Sequence, residues 1–277
     1  MNNIHIIGVG QMGRAILFGL RRSIIDCHLK PIEVCADRAA YLASCGVEVS
    51  KRIESIDDDD VVILAVPPQQ FQSVVRDNQL LLSHRGPVIS VMAGITTNSL
   101  CRTLGHTRIV RSIPNTPSEV QEGVTFYYVQ ESADSDLITV AEKIFGTIGI
   151  CMQVDNEWQL DSGTALAGGG PALVAYFVNA LLLYAESEGF DSKVAWEVST
   201  QLLYGTSLLL KSTRKTPMQL CEEVQTKGGT TERAVQLFDQ HDFNGVMLSA
   251  LTAAAERSKE LEAYFLSENR NERRQVD

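Results

Sequence analysis

Ile4-His5-Ile6-Ile7-Gly8-Val9-Gly10-Gln11-Met12-Gly13-Arg14-Ala15-Ile16-Leu17 is the stretch that decides how this chain folds. An isoleucine-rich run leads straight into a G-x-G-x-x-G turn, and the turn leads straight into an amphipathic segment. That order reads as strand, tight turn and helix start. Each glycine has its own task there: Gly8 permits the turn, Gly10 lets a pyrophosphate approach the backbone, and Gly13 lets the helix pack closely on the strand. The helix N-terminus stabilises the anion. The motif alone is a weak signal, and its strand-turn-helix context makes it a dinucleotide signal.

Outward from this stretch the first half alternates short β-branched runs with amphipathic ones, the pattern of a parallel sheet covered by helices. Strands are expected at Ile4 to Gly8, Ile32 to Ala36, Val47 to Val49, Val61 to Val66, Val88 to Val91, Ile109 to Ser112 and Thr125 to Val129, with helices at Met12 to Arg22 and Gln69 to Leu82. From about Asp161 the apolar spacing turns helical, as in Leu173, Val174, Phe177, Val178, Leu181, Leu182 and Ala185. Further helices are expected over about Asp191 to Ser212, Pro217 to Gln225, Thr231 to Gln240 and Phe243 to Leu266. The boundary falls near 155–159, giving an α/β nucleotide-binding domain over 1–157 and an all-helical domain over 158–277. The Asp191 to Ser212 helix is apolar on most sides, and a domain of about 120 residues has little interior to bury it. Association with a second copy is the natural outlet, so a homo-oligomer, at least a dimer, is expected.

The 277 residues and 44% hydrophobic content exclude a disulfide miniprotein or a disordered tail. With 24 Lys plus Arg against 34 Asp plus Glu, the formal charge of −10 makes a nucleic-acid partner a poor expectation. Six scattered cysteines, without a C-x-x-C pair, fit neither a zinc site nor a disulfide framework, and no metal is expected. Neither a secretory leader nor a membrane span is visible, so the expectation is a cytoplasmic protein acting on a small molecule.

Further candidate residues lie at the carboxyl ends of the expected strands, where open α/β sheets bind ligands. Asp37 and Arg38 argue in opposite directions, the acid toward the ribose hydroxyls of NAD and the arginine toward the 2′-phosphate of NADP. Arg52 could add charge to the same edge. Ala65-Val66-Pro67 and Ala93-Gly94 close two other strands, and Asn115 sits at the tip of Pro114-Asn115-Thr116-Pro117, which serves equally well as a structural cap. In the helical half, Gly168-Gly169-Gly170 and Gly228-Gly229-Thr230-Thr231 each precede a helix start, where bare amides can hold a carboxylate or phosphate. An N-cap loop without a ligand is the plainer reading of either one alone. The five histidines neighbour no nucleophile motif.

Taken in order, these pieces resemble the pyrroline-5-carboxylate reductases over nearly the whole chain. They are Gly8 to Gly13, Ile63 to Val66 with Pro68, Ala93-Gly94, Arg111 with Pro114 to Pro117 and Gly123, Glu157 and Asp161, Gly168 to Ala172, Gly228 to Thr231, and Ala253-Ala254 with Arg257, Ser258, Glu260 and Leu261. The resemblance implies a Rossmann domain followed by a helical dimerisation domain, with each active site between the two domains near the dimer. It implies hydride transfer from NADPH, or less often NADH, to the ring C=N carbon of 1-pyrroline-5-carboxylate, giving L-proline. It also implies that amides of Gly228, Gly229 and Thr230 hold the substrate carboxylate and that the Thr231 hydroxyl meets the ring nitrogen. The chain departs from the family pattern at Pro67, where a lysine is usual, at Ala167 and Gly169, at Lys227, and at Arg52, where an asparagine is usual. Two other readings stay open here. One is a related imine or β-hydroxyacid dehydrogenase, although the helix after Gly189 carries lysines only near its ends, at Lys193 and Lys211. The other is a catalytically silent nucleotide-binding regulator.

Overall fold

The computed structural model describes residues 2–130 and 135–273, with side chains described to residue 260. The chain divides into two units, one comprising Met1–Gly169 with Ala254–Asp277 and the other Gly170–Ala253.

The first unit is built on β1 (Asn3–Ile7), β2 (His28–Ile32), β3 (Val61–Leu64), β4 (Val88–Ser90), β5 (Ile109–Ile113), β6 (Gly123–Val129) and β7 (Gly149–Gln153). These form one sheet in the order β2-β1-β3-β4-β5-β6-β7. All neighbours are parallel except β5 and β6. The strand order reverses beside β1, which pairs with β2 on one side and β3 on the other. A crevice opens at such a switch point beyond the carboxyl ends of the strands.

Strand periodicity divides the core in two. Ile4, Ile6, Val61 and Ile63 join one cluster with Ile16, Leu17 and Leu20 of α1 (Gln11–Arg22) and Leu137, Ala141 and Ile144 of α5 (Ser135–Phe145). Ile7, Val62 and Leu64 face the other way, to Phe71 and Val75 of α3 (Phe71–Asp77) and Leu100 and Leu104 of α4 (Thr97–Leu104). A strand buried on both faces shows the unbroken apolar run that marked Val61 to Leu64 in the sequence.

Three expectations need correction, and one strand was not expected at all. The second strand occupies His28–Ile32 instead of Ile32 to Ala36, and Ala36 opens α2 (Ala36–Ser44). Only Pro31 and Ile32 of β2 are fully buried, so the strand lacks an apolar pattern. Val47 to Val49 does not pair as a strand. All that remains is an isolated bridge between Ile32 and Ser50, with Ser50 N donating to Pro31 O and Glu33 N to Ser50 O. Pro31 has no N–H to donate further along that edge. The single helix expected over Gln69 to Leu82 is α3 between two short 3₁₀ turns, interrupted where the Asn78 side chain donates to Val74 O and accepts from Ile53 N. β7 was not expected, because only alternate positions of this strand are partly covered.

The second unit consists of α7 (Gly170–Ser187), α8 (Ser192–Thr213), α9 (Pro217–Val224), α10 (Thr230–Gln240) and the start of α11 (Phe243–Arg273). Its caps follow the local sequence. Asp191 accepts from Val194 N, and Thr216 forms a reciprocal capping box with Gln219. Burial within the unit is slight: α7 has no buried residue and α8 has only Ala195 and Ser199. Tyr176, Trp196, Val198, Leu202 and Tyr204 are each more than half exposed. A window within Gln159–Ser187 has a mean hydropathy of 1.7, so by length and composition this run could also cross a membrane.

Candidate functional site

The glycine turn is built by contacts that only glycine tolerates at two of its positions. Gly8 has φ of +86°, and a Cβ there would lie 2.6 Å from Val66 Cγ1 and 2.8 Å from Ala65 O. At Gly13 a Cβ would lie 2.0 Å from Gly8 O. Ala65 and Val66, at the end of β3, are thus brought against the turn, and Ala65 N donates to Ile7 O. Gly10 is different. Its φ is −71°, in extended backbone, and a Cβ there would meet nothing within 4 Å. Among the described residues nothing requires glycine at this position; a pyrophosphate approaching the turn would.

The start of α1 suits the same ligand. Gly10 caps it without a side-chain hydrogen bond, and its first turn contains no acidic residue. The amides of Gln11, Met12 and Gly13 have no acceptor among the described residues. Orphan N–H groups at the positive end of a helix form an anion site. The Met12 side chain packs on the core, so only its amide faces the turn, while Gln11 is exposed. Pro67 caps the turn after β3, and Ala93 and Gly94, with Gly94 at φ of +74°, form the turn after β4.

The acid at the end of β2 is Glu33, which sequence reading missed in favour of Asp37. Glu33 is 3% exposed. Its carboxylate accepts from Val9 N at 3.0 Å, inside the glycine turn, and from Cys35 N at 2.8 Å. Arg38 grips it bidentately, Nε at 2.8 Å and Nη2 at 3.0 Å. Burial pushes the Glu33 pKa up, but the hydrogen bonds from Arg38, Cys35 and Val9 outweigh it and hold the group below the usual glutamate value. Asp37 is not at a strand end; it lies exposed in the first turn of α2. A count along the chain would have found Glu33, since it stands 20 residues past Gly13 (33 − 13), the usual spacing of the ribose acid. Arg52 is exposed and lines a groove with Asn3, His5, Lys30 and Glu48, outside the glycine turn.

Asn115 has a structural task. It is 7% exposed, its amide nitrogen donates to Ala167 O at 3.1 Å, and its amide oxygen accepts from Val124 N at 2.8 Å. It therefore fits the structural-cap reading of its loop, because both ends of the amide are engaged. Beside it, Arg111 is 1% exposed and reaches Glu157 at 3.0 Å and Asp161 at 3.5 Å. Glu157 also accepts from Thr97 N and Oγ1. This cluster ties β5 and the start of α4 to α6 (Gln159–Gly163).

The Gly168 to Gly170 stretch leads into α7 without leaving helical backbone, Gly169 lying at φ of −81° in the αR region. The chain winds through a π-type turn over Thr164–Gly168, Gly169 N donates to Thr164 O, and the glycines continue the helical path. The Gly169 amide is therefore already engaged and not open to an anion. At α10, Gly228 has φ of +74°, and its N–H donates to Glu232 Oε2 at 2.7 Å. Gly229 N donates to Thr226 O at 2.7 Å. Of the four expected amide and hydroxyl donors, Thr230 N and the Thr231 Oγ1 hydroxyl have no partner among the described residues, and Thr231 N is likewise open.

Residues 157–261 match the family described as pyrroline-5-carboxylate reductase dimerisation, and residues 3–94 match NADP oxidoreductase coenzyme F420-dependent. The chain is 30% identical to pyrroline-5-carboxylate reductase of Pseudomonas aeruginosa, covering 93% of this chain and 96% of that one. It is 31% identical to the Arabidopsis thaliana enzyme of the same name, covering 93% and 95%. Among solved structures, a pyrroline-5-carboxylate reductase from Coxiella burnetii superposes with a TM-score of 0.84 at 33% identity, covering 94% of this chain and 98% of that one. The fold is shared with Plasmodium falciparum pyrroline carboxylate reductase, solved with NADP bound, at a TM-score of 0.79 and 23% identity, covering 94% and 98%.

Proposed function

The chain belongs to the pyrroline-5-carboxylate reductase family, and from that premise we propose that it reduces 1-pyrroline-5-carboxylate to L-proline, with NADPH as the preferred hydride donor and NADH as a poorer one. The observation that carries the reading is the glycine turn, with room at Gly10 and bare amides at Gln11, Met12 and Gly13. These amides hold the pyrophosphate, and Ala65, Val66, Pro67, Ala93 and Gly94 border the cofactor from the ends of β3 and β4. When bound, the nicotinamide supplies the hydride that reduces the ring C=N carbon. Preference for the phosphorylated donor is supported by the end of β2, where the acid is turned inward and the Arg38 side chain is 52% exposed.

In the substrate half the amides of Thr230 and Thr231 grip the carboxylate, which displaces Glu232 from Gly228 N. The Thr231 hydroxyl orients the ring nitrogen. No strong acid is required, because a protonated imine already accepts hydride and the protein has only to align the reactants. We assign residues 1–157 to the cofactor and 158–277 to substrate and association. The exposed apolar faces of α7 and α8 meet a second copy in a homodimer, supported by the dimerisation-family match over 157–261. We place the protein in the cytoplasm, in keeping with its six free thiols.

The test follows nicotinamide absorbance with 1-pyrroline-5-carboxylate and each cofactor in turn. Turnover with a higher kcat/KM for NADPH is expected. Tight nucleotide binding without turnover would establish the silent regulator instead.

A further inference from the structure

We infer that Glu33 is a positioning residue through which discrimination of the 2′-phosphate passes. The inference rests on the dinucleotide reading above and extends it to a residue that touches no ligand. One buried carboxylate joins two parts of the nucleotide site. Its Oε2 accepts from Val9 N, within the glycine turn, and from Arg38 Nε, while Oε1 accepts from Arg38 Nη2 and Cys35 N.

Four donors on two oxygens saturate the carboxylate, which therefore cannot also accept from ribose hydroxyls as a strand-end acid does for NAD. The guanidinium is pinned along one edge by a parallel pair of charge-assisted bonds. Its remaining N–H groups are on the free side, and its side chain stays half exposed while that of Glu33 is 2% exposed. Arg38 therefore forms a fixed cationic fork, and a phosphate on the adenosine ribose is the group that suits it. Because the carboxylate that aims the fork also holds the Val9 amide, the turn and the fork are kept in register by one residue.

The test measures binding of two nucleotide fragments by calorimetry on the full chain, adenosine 2′,5′-bisphosphate and adenosine 5′-monophosphate. The wild type is expected to bind the bisphosphate at least tenfold more tightly. Arg38→Ala should abolish that ratio and leave the monophosphate affinity within twofold. Glu33→Gln, which keeps its shape but replaces one acceptor with a donor, should bring the ratio to within threefold of unity although Arg38 is still present. Arg38→Lys keeps the charge and loses the fork, and should cut the ratio at least fivefold.

A wild-type ratio surviving in Glu33→Gln, or in Arg38→Lys should the first variant fold poorly, would overturn the inference. So would equal binding of both fragments by the wild type. A wild type that binds neither fragment would refute the dinucleotide reading itself, and this inference with it. A purely structural role for Glu33 would lower the melting temperature and weaken both fragments equally, leaving the ratio intact.

Discussion

Adding one methyl group at Gly10 and one at Gly13 should produce opposite outcomes from the same chemical change. At Gly13 the new Cβ would stand 2.0 Å from Gly8 O, in a turn whose other side is closed by Ala65. Neither backbone can yield without moving β1 against α1, so Gly13→Ala should cost about 3 kcal/mol of stability. For a unit of this size that is a fall in Tm of ~6–12 °C. At Gly10 the methyl enters open space on an extended backbone with φ of −71°. Its effect on stability should be within about 1 kcal/mol, with the sign tending to favourable because alanine loses less chain entropy on folding. Nucleotide binding should nevertheless weaken at least tenfold, about 1.4 kcal/mol. Thermal melts in the absence of nucleotide give the first quantity, and titration of NADPH fluorescence gives the second. Gly10→Ala binding NADPH as tightly as the wild type would show that the space beside Gly10 is not where a pyrophosphate lies.

Thr231→Ala should lower kcat/KM for 1-pyrroline-5-carboxylate at least tenfold, about 1.4 kcal/mol, and unchanged kinetics would remove the hydroxyl from the mechanism. Glu232→Gln should lower the substrate KM severalfold with kcat nearly constant, because the carboxylate on Gly228 N no longer competes as an anion; a raised KM would argue that Glu232 only caps α10. Arg111→Met leaves Glu157 and Asp161 without their cation and should destabilise the fold by about 3 kcal/mol in urea titration, an effect that a loss below about 1 kcal/mol would contradict. His106 ties stability to pH. Burial first, then the neighbouring His84, Arg85 and Arg108, push its pKa down to about 4. The unfolded chain therefore takes up the proton first, and stability that is complete above about pH 6.5 should fall by up to about 3 kcal/mol as pH drops toward 4. His106→Gln should flatten the denaturation midpoint across that window, and an unchanged slope would exclude the histidine as its source.

The parts of this molecule that were legible in the sequence are those fixed by near neighbours. Gly8, Gly10 and Gly13 act within six residues, and Val61 to Leu64 is a central strand buried on both faces. The outer strand β2 was misplaced because its inward positions include Pro31 and its other side chains are largely exposed, which leaves no alternation to find. Asp37 and Arg38 drew attention as adjacent opposite charges, yet the structure pairs Arg38 with Glu33, five residues back on the far side of the α2 cap. Arg111, Glu157 and Asp161 are separated by 46 and 50 residues and converge only once β5 and α6 are packed together. At α10 two of the four expected donors, the amides of Gly228 and Gly229, are taken up by Glu232 and Thr226 O, which is a matter of loop shape that the sequence does not display.

The proline in β2 also governs how crowded molecules treat one another. β2 ends the sheet on its side, and an unfinished sheet border is the place where chains in concentrated solution zip into fibres. A visiting strand would find Pro31 O and Glu33 N already engaged by Ser50, no hydrogen to accept from Pro31 itself, and a lysine at position 30 standing in its path. Pro31 and the Ser50 bridge thus curtail backbone pairing along that border and work against the addition of a further strand there.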